Sequence, residues 1–264
     1  MKFDFSQPMT AYEVLAIVLA ALALLIPVGK WIINRFIKKI KVTFIPSEYV
    51  TLSFNRSGAY ITLGGVYESK NKSAIIKNVS VKVVRAIDNA TLYLNWSTFP
   101  SPIYRKVAGG YETSFETAHP FKVDADGLTP VFIEFSNALE DPNEKTSAII
   151  RQVTNAVSPI LLQPNIDLFT ADSQVKQLKE YQDAKLELND YFFWREGNYQ
   201  IIVKTEYNNN SFSNSYIFSI NKEESERLRA NIDSLLVTCV ADHFRVTSII
   251  NTVQKKYREN NGNL

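Results

Sequence analysis

An uncharged apolar run near the N-terminus constrains this chain more than any other feature. From Val14 to Val28 no side chain is charged or strongly polar. Taken from Tyr12 to Ile33, the run has the length of a helix that spans about 33 Å at 1.5 Å per residue, which is enough to cross a bilayer. The sequence therefore predicts a transmembrane helix at residues 12–33, preceded by a short extracytoplasmic tail at residues 1–11.

The charges on either side of this run predict its orientation. Lys2, Asp4 and Glu13 stand before the uncharged core of the run. After that core stand five cations around the basic collar at residues 34–40: Lys30, Arg35, Lys38, Lys39 and Lys41. Because basic segments stay on the cytoplasmic side, we expect the N-terminus outside and the body in the cytoplasm of a bacterial inner (plasma) membrane. A cleaved signal peptide and a buried core helix are the alternatives. The signal peptide is disfavoured because its basic residues would precede the run.

Aromatic and basic residues near both ends of the run are suited to the membrane interface. Aromatic rings sit at headgroup level, and long basic side chains reach the interface while their stems stay apolar. Anionic lipid headgroups are therefore expected partners of the basic collar. The predicted interface residues are Tyr12, Lys30, Trp31, Arg35, Lys38, Lys39 and Lys41.

Charge and cysteine content narrow the possible partners of the body. The chain has 264 residues and a formal net charge of only +2, and much of the basic excess lies beside the apolar run. A near-neutral body argues against nucleic-acid binding. The single cysteine, Cys239, excludes an intramolecular disulfide, which agrees with a reducing compartment.

Residues 41–220 carry the pattern of a β domain with a helical insertion. Val79, Val81 and Val83 alternate with polar residues, as in a half-buried strand. Two runs around Asn208-Asn209-Asn210 predict a hairpin of residues 198–207 and 212–220. Residues 99–110 are predicted to be a loop. Helical spacing predicts the insertion at about 138–190, with one helix ended by Pro159 and Pro164 and a second at 172–188.

The β domain resembles an immunoglobulin-like sandwich. The resemblance is carried by Trp96, by about eight short strands and by Gly197-Asn198-Tyr199-Gln200-Ile201, where Tyr199 has the position of a tyrosine corner. It implies an architecture and no function, since this fold hosts many unrelated activities. The expected fold is therefore mainly β with α: one transmembrane helix, an immunoglobulin-like β-sandwich with a helical insertion, and a C-terminal helix.

The C-terminal segment, residues 221–264, is predicted to be helical. Asn221 and Glu224 have the spacing of a capping pair, and an apolar stripe follows at intervals of three or four as far as Tyr257. Asp242 and His243 interrupt the stripe, so the pattern leaves one helix or two open. The stripe would pack on the sandwich or pair with a partner, with Asp242 and His243 fixing the register.

The sequence shows little that points to catalysis. Cys239 and His243 are four residues apart on one predicted helix face, where a thiolate–imidazolium pair is conceivable, but no oxyanion motif accompanies them. One cysteine and two histidines do not make a zinc site. Asp124 and Asp126 fit a turn better than a calcium loop. We therefore expect no enzyme activity, no cofactor and no metal.

Clustered aromatics are the remaining candidates for recognition. Tyr191, Phe193 and Trp194 precede the tyrosine-corner strand, and such residues often anchor interfaces. They would bind a partner protein or another copy, or else cap the sandwich beneath the inserted helices. The sequence thus predicts a membrane-anchored interaction or sensing module. The alternative is a membrane effector that oligomerises through its span and disturbs the bilayer, as in bacterial defence.

Overall fold

A computed structural model of the chain describes residues 10–33, 38–107, 110–136 and 142–259. Arg35, residues 1–9 of the predicted tail and the first residues of the predicted insertion lie outside the described residues.

The apolar run forms one helix, Ala11–Ile32 (α1). A capping box starts it: Thr10 Oγ1 accepts from the Glu13 N–H at 3.4 Å, and the Glu13 carboxylate accepts from the Thr10 N–H at 2.8 Å. None of its residues is buried against the rest of the chain. Among the described residues it is the one helix long and apolar enough to cross a membrane. A signal sequence at this position would meet the same criterion.

The body is built mainly from strands. In chain order the described strands are Lys41–Asn55 (β1), Gly58–Lys70 (β2), Ala74–Arg85 (β3), Thr91–Val107 (β4), Gly110–Thr117 (β5), Phe121–Val123 (β6), Gly127–Ser136 (β7), Gly197–Tyr207 (β8), Asn210–Ile220 (β9), Thr252–Lys256 (β10) and Arg258–Glu259 (β11).

These strands form one sheet that nearly closes into a barrel. The hydrogen-bonded order is β10-β1-β2-β7-β4-β3-β8-β9-β11, and β5 and β6 pair with β4 and β3. Only Tyr257 separates β10 from β11, so one C-terminal segment pairs with β1 at one end of the order and with β9 at the other. The described strands follow a single path rather than two packed sheets, and the immunoglobulin-like sandwich is not confirmed.

Six helices besides α1 lie in the described part of the body. Three lie between β7 and β8, and three follow β9. They are Pro142–Leu161 (α2), Leu168–Gln177 (α3), Lys179–Tyr191 (α4), Lys222–Arg229 (α5), Asn231–Leu236 (α6) and Thr238–His243 (α7).

Local sequence signals explain several of these elements. The β8–β9 hairpin is confirmed, with Tyr207 opposite Asn210 and Asn208 at a φ of 46° in the turn. The capping pair is also confirmed, because Asn221 Oδ1 accepts from the Glu224 N–H at 2.9 Å. Asn residues adopt positive φ more readily than most, which suits them to such turns.

Four predicted elements differ from the structure. Residues 99–107 continue β4, and its pairing with β5 replaces the predicted loop. Pro159 lies inside the last turn of α2 rather than ending it. The predicted helix 172–188 is two helices, because Leu178 adopts an extended ψ of 139°. The predicted C-terminal helix ends at His243, and its last part is strand β10, since pairing with β1 satisfies that backbone.

The two ends of the barrel differ in what covers them. At one end the helices pack against the β1–β2 hairpin, where the Phe54 and Phe192 rings lie 5.5 Å apart. At the other end lie the start of β1 and the turn at Asn71, whose side chain donates to the Lys39 carbonyl at 2.9 Å. The segment arriving from α1 therefore joins the barrel at the end opposite its helical cap.

Candidate functional site: a cationic cleft at the seam of the barrel

The wall of the barrel has an open seam where the two edge regions of the sheet, in β9 and β10, lie next to each other. Residues 218–220 of β9 pair with β8, and among the described strands none pairs with their other edge. Within the described ranges, strand β10 pairs with β1 alone. The sheet therefore parts between these two edges before β11 joins β9 at Ile217.

A cleft of about 700 Å³ lies at this seam. This volume is within the range of small-molecule sites, roughly 300–1,000 Å³. Its lining combines strand residues of β8, β9, β10 and β11 with three cations. The lining residues are Ala86, Asn198, Tyr199, Gln200, Ile217, Phe218, Ser219, Lys255, Lys256 and Arg258.

The three cations of the cleft differ in how they are neutralised. Lys255 Nζ lies 2.8 and 2.9 Å from the two carboxylate oxygens of Glu224. Burial opposes ionisation of Glu224, but hydrogen bonds from Lys255 and from the Asn221 N–H hold its pKa below the usual value. This ion pair fixes β10 against the first turn of α5.

The outer two cations are more available. Lys256 forms an ion pair with Glu48, and this hydrogen bond raises the lysine pKa. Both side chains of that pair are 62% exposed, so it is a weak constraint. Arg258 has no carboxylate partner among the described residues, and its guanidinium can donate to an anion in a bidentate manner. The cleft therefore presents an excess of positive charge.

The remaining lining consists of strand residues with polar and apolar groups. Asn198, Gln200 and Ser219 are polar, and the Gln200 amide donates to Ser215 Oγ at 2.8 Å. The Tyr199 and Phe218 rings are buried, at 1% and 6% exposed, and they stack in the core behind this wall with centroids 5.2 Å apart. Chemically, the exposed cations beside polar groups suit an anion.

The tyrosine-corner residue also fixes the start of β8, which forms one wall of the cleft. The Tyr199 hydroxyl donates to the Arg195 carbonyl at 2.5 Å, four residues upstream. Arg85 lies close by: its guanidinium binds the Asp88 carboxylate at 2.9 and 2.6 Å and the Phe193 carbonyl at 2.6 Å. These contacts tie the entry of β8 to the β3–β4 turn, which positions Tyr199.

The aromatic residues predicted to bind a partner are divided between core and surface. Trp194 is completely buried, and its Nε1 donates to the Ser53 carbonyl at 2.7 Å. Phe193 is partly buried, and its ring lies 5.2 Å from the Arg85 guanidinium. Tyr191 is 44% exposed. Trp194 therefore caps the barrel, which was the alternative that the sequence left open.

The C-terminal residues singled out by sequence, Cys239, Asp242 and His243, lie on α7. Cys239 and Asp242 line a smaller cleft of about 320 Å³ with Arg56 and Arg151. Burial raises the pKa of the Cys239 thiol, which disfavours a thiolate. The His243 ring packs on Phe244 at 4.9 Å. In the described part of the chain no group of three metal-ligating side chains lies together.

The predicted membrane-interface residues fall on two parts of the structure. One group lies on α1, and the other lies where the chain enters the barrel; Arg35 lies outside the described residues. The first group is Tyr12, Lys30 and Trp31, and the second is Lys38, Lys39 and Lys41. Their order along the chain agrees with a basic segment between the apolar helix and the body.

Sequence reasoning missed the seam cleft. Lys255, Lys256 and Arg258 fell inside a predicted helix, so their spacing did not suggest a site. The available signal was three cations in four residues around Tyr257, just after a stretch rich in β-branched residues. A scan against known protein families finds no match for this chain, and a search of curated proteins also finds none.

Proposed function

We propose that this protein is a single-pass membrane-anchored module whose barrel-like body acts in interaction or sensing, with an anionic small molecule as the ligand of the seam cleft. The body would lie in the cytoplasm and the N-terminus outside a bacterial inner membrane. One observation carries the anchor: α1 is 22 residues long, apolar, and buries none of its residues against the body. Exposing such a surface to water is unfavourable, whereas lipid accommodates it.

The arrangement of the body supports a tethered module. The chain enters the barrel at the end opposite the helical cap, so a membrane-facing end and a free end follow from the connectivity. Lys38, Lys39 and Lys41 lie at the entry point, where anionic headgroups would attract them. The cleft lies on the side wall, where β8 leaves the capped end, and so it would stay open to the aqueous phase.

The charge of the cleft supports the ligand class. Lys256 and Arg258 point to an anion, because both are exposed cations beside polar groups in a concave site. Because the Lys256–Glu48 ion pair is exposed and weak, a ligand oxygen can readily replace Glu48 as the partner of Lys256.

Calorimetry on the full chain in a neutral detergent tests this ligand class, with inorganic pyrophosphate as the probe. We expect saturable binding that weakens with added salt. The double variant Lys256→Gln with Arg258→Gln should bind at least ten times more weakly. Lys222→Gln, a matched change on an exposed lysine outside the cleft, should bind as the parent does. Equal affinities for both variants, or no saturable binding by the parent, would overturn the ligand class.

The alternative function is a membrane effector that oligomerises through its span. Ala16 and Ala20 favour it, since small residues four apart on a helix let two helices approach closely. Under this alternative, crosslinking in membranes would trap a defined oligomer that Ala16→Leu with Ala20→Leu abolishes, while Ala21→Leu on another face does not. Recovery of the chain with a distinct protein in near-stoichiometric amount would support the tethered module instead.

A further inference from the structure

The smaller cleft lies between the helices that cap the barrel and the tip of the β1–β2 hairpin. Its volume of about 320 Å³ is at the lower end of the range for small-molecule sites, roughly 300–1,000 Å³. Three separate parts of the chain line it. They contribute Arg56 from the hairpin tip, Arg151 and Thr154 from α2, and Thr238 and Asp242 from α7.

The hairpin tip holds Arg56 in a fixed position. Asn55 lies opposite Gly58 in the β1–β2 register, so Arg56 belongs to a two-residue turn. Gly58 closes this turn with a φ of 76°, a conformation that glycine adopts readily. Asn231 of α6 donates through its side-chain amide to the Phe54 carbonyl at 3.1 Å. The backbone that carries Arg56 is therefore tied to the helical cap.

Helical spacing brings the other lining residues to two faces that meet. Arg151 and Thr154 are three residues apart on α2, and Thr238 and Asp242 are four apart on α7. Residues at these spacings lie on one face of a helix. Helices α2 and α7 pack against each other. These two faces therefore form neighbouring walls of the cleft.

The three charged side chains of the cleft have no ion-pair partner within the residues that the structure describes. None of the ion pairs there includes Arg56, Arg151 or Asp242. Two guanidinium groups lining one cleft favour an anionic group, which can accept hydrogen bonds from both. A carboxylate on another wall favours a cationic group. The cleft is therefore complementary to a ligand that carries both.

The threonine hydroxyls of the cleft are suited to the cationic group. Thr154 Oγ1 donates to the Ile150 carbonyl at 2.9 Å, and Thr238 Oγ1 donates to the Ser234 carbonyl at 2.9 Å. A hydroxyl has one proton to donate, so each of these oxygens retains only the capacity to accept. An ammonium group donates three hydrogen bonds and accepts none. It matches these two acceptors and the Asp242 carboxylate.

We propose that this cleft binds a small zwitterion with one carboxylate and one ammonium group, as in an α-amino acid. The carboxylate accepts hydrogen bonds from Arg56 and Arg151, and the ammonium group donates to Asp242. The site lies at the capped end of the barrel, opposite the entry of the chain from α1. It shares no lining residue with the seam cleft, so it is independent of the proposed function.

Isothermal titration calorimetry of the full chain in a neutral detergent tests this site, with each of the common L-amino acids as a probe. At least one should bind saturably. Its N-acetyl derivative lacks the ammonium group and its carboxamide lacks the carboxylate, so both should bind at least ten times more weakly. Arg151→Gln and Asp242→Asn should each weaken binding of the unmodified amino acid at least tenfold. Both residues are exposed, so these variants should fold as the parent does.

The double variant Lys256→Gln with Arg258→Gln is the matched control. It removes two cations from the seam cleft and leaves this cleft intact, so it should bind the amino acid as the parent does. No saturable binding by the parent, or equal affinities of the parent and Arg151→Gln, would overturn the site. An N-acetyl derivative that binds as tightly as its amino acid would overturn the zwitterion. Pyrophosphate binding at the seam cleft is unaffected by any of these results, so the two sites are tested separately.

Discussion

Replacing Trp194 by alanine should destabilise the body strongly. The indole is completely buried, and its ring lies 5.2 Å from Phe193 and 5.8 Å from Tyr199. Truncating a buried tryptophan costs about 3–5 kcal/mol, as lost transfer free energy and as a cavity. In a domain of this size each kcal/mol lowers the melting temperature by roughly 2–4 °C, so a fall of about 6–20 °C is expected.

The hydrogen bond of the indole can be separated from its packing. Trp194→Phe keeps an aromatic ring but removes the donor to the Ser53 carbonyl at 2.7 Å. We expect this variant to lose about 1 kcal/mol for the bond, plus a smaller packing loss. Denaturant unfolding of the full chain in detergent, followed by far-ultraviolet circular dichroism, measures both variants without relying on tryptophan fluorescence.

Tyr191→Ala is the matched control for this series. Tyr191 is an aromatic residue from the same cluster, but it is 44% exposed, and surface substitutions usually change stability by about 0.5 kcal/mol or less. If Trp194→Ala lost less than about 1 kcal/mol, or no more than Tyr191→Ala, the assignment of Trp194 to the core would be refuted.

Three further predictions concern single side chains. The Asp88 pKa is lowered from 3.8 to about 2 by its hydrogen bonds from Arg85, so this pair stabilises the fold above about pH 4 and stops doing so as the pH falls toward 2. The stability gap between the parent and Asp88→Asn, measured by denaturant unfolding, should therefore close over that range, and a constant gap would contradict it. Since burial raises the Cys239 pKa, iodoacetamide should alkylate the native thiol more slowly than the unfolded one at mildly alkaline pH; equal rates would contradict this. Gly65→Ala should destabilise the fold by about 1–3 kcal/mol in the same unfolding assay, because a Cβ would lie 2.5 Å from the Phe44 ring, and a neutral effect would show that the ring moves freely.

Elements with strong local signals could be predicted from the sequence. The β8–β9 hairpin has alternating residues on both sides of an asparagine turn, so pattern and turn chemistry agree. The helix after Asn221 begins where its capping pair predicts. The tyrosine-corner contact of Tyr199 with the Arg195 carbonyl is also local, which explains why the motif was recognisable although the sandwich is not confirmed.

Elements that depend on distant pairing could not be predicted. Strand β10 has five residues, and its apolar residue Val253 lies four positions before Tyr257, the residue that follows the strand. This spacing fits one turn of helix as well as alternation along a strand. Its partner, β1, begins about 200 residues earlier in the chain, so no local pattern records the pairing. The seam cleft depends on that same pairing and was missed for the same reason.

The roles of individual charged and aromatic side chains also depend on distant pairing, so local sequence patterns could not predict them. The sequence identified Trp194 as important, but only the packing of β1 against its indole decides between core and surface. In the sequence alone, nothing distinguishes Lys256 and Arg258 from other surface cations. They line one cleft because the segment that carries them, β10 and β11, closes the barrel beside β9.

Intact mass measurement of the chain recovered from membranes tests the central claim most directly. Membranes are washed at alkaline pH, the retained protein is extracted in detergent, and its mass is compared with that of the whole 264-residue sequence. If α1 anchors the body, the chain should stay in the washed membranes and retain every residue of α1. A chain that has lost α1 by cleavage, or that leaves the membranes in the wash, would contradict the anchor.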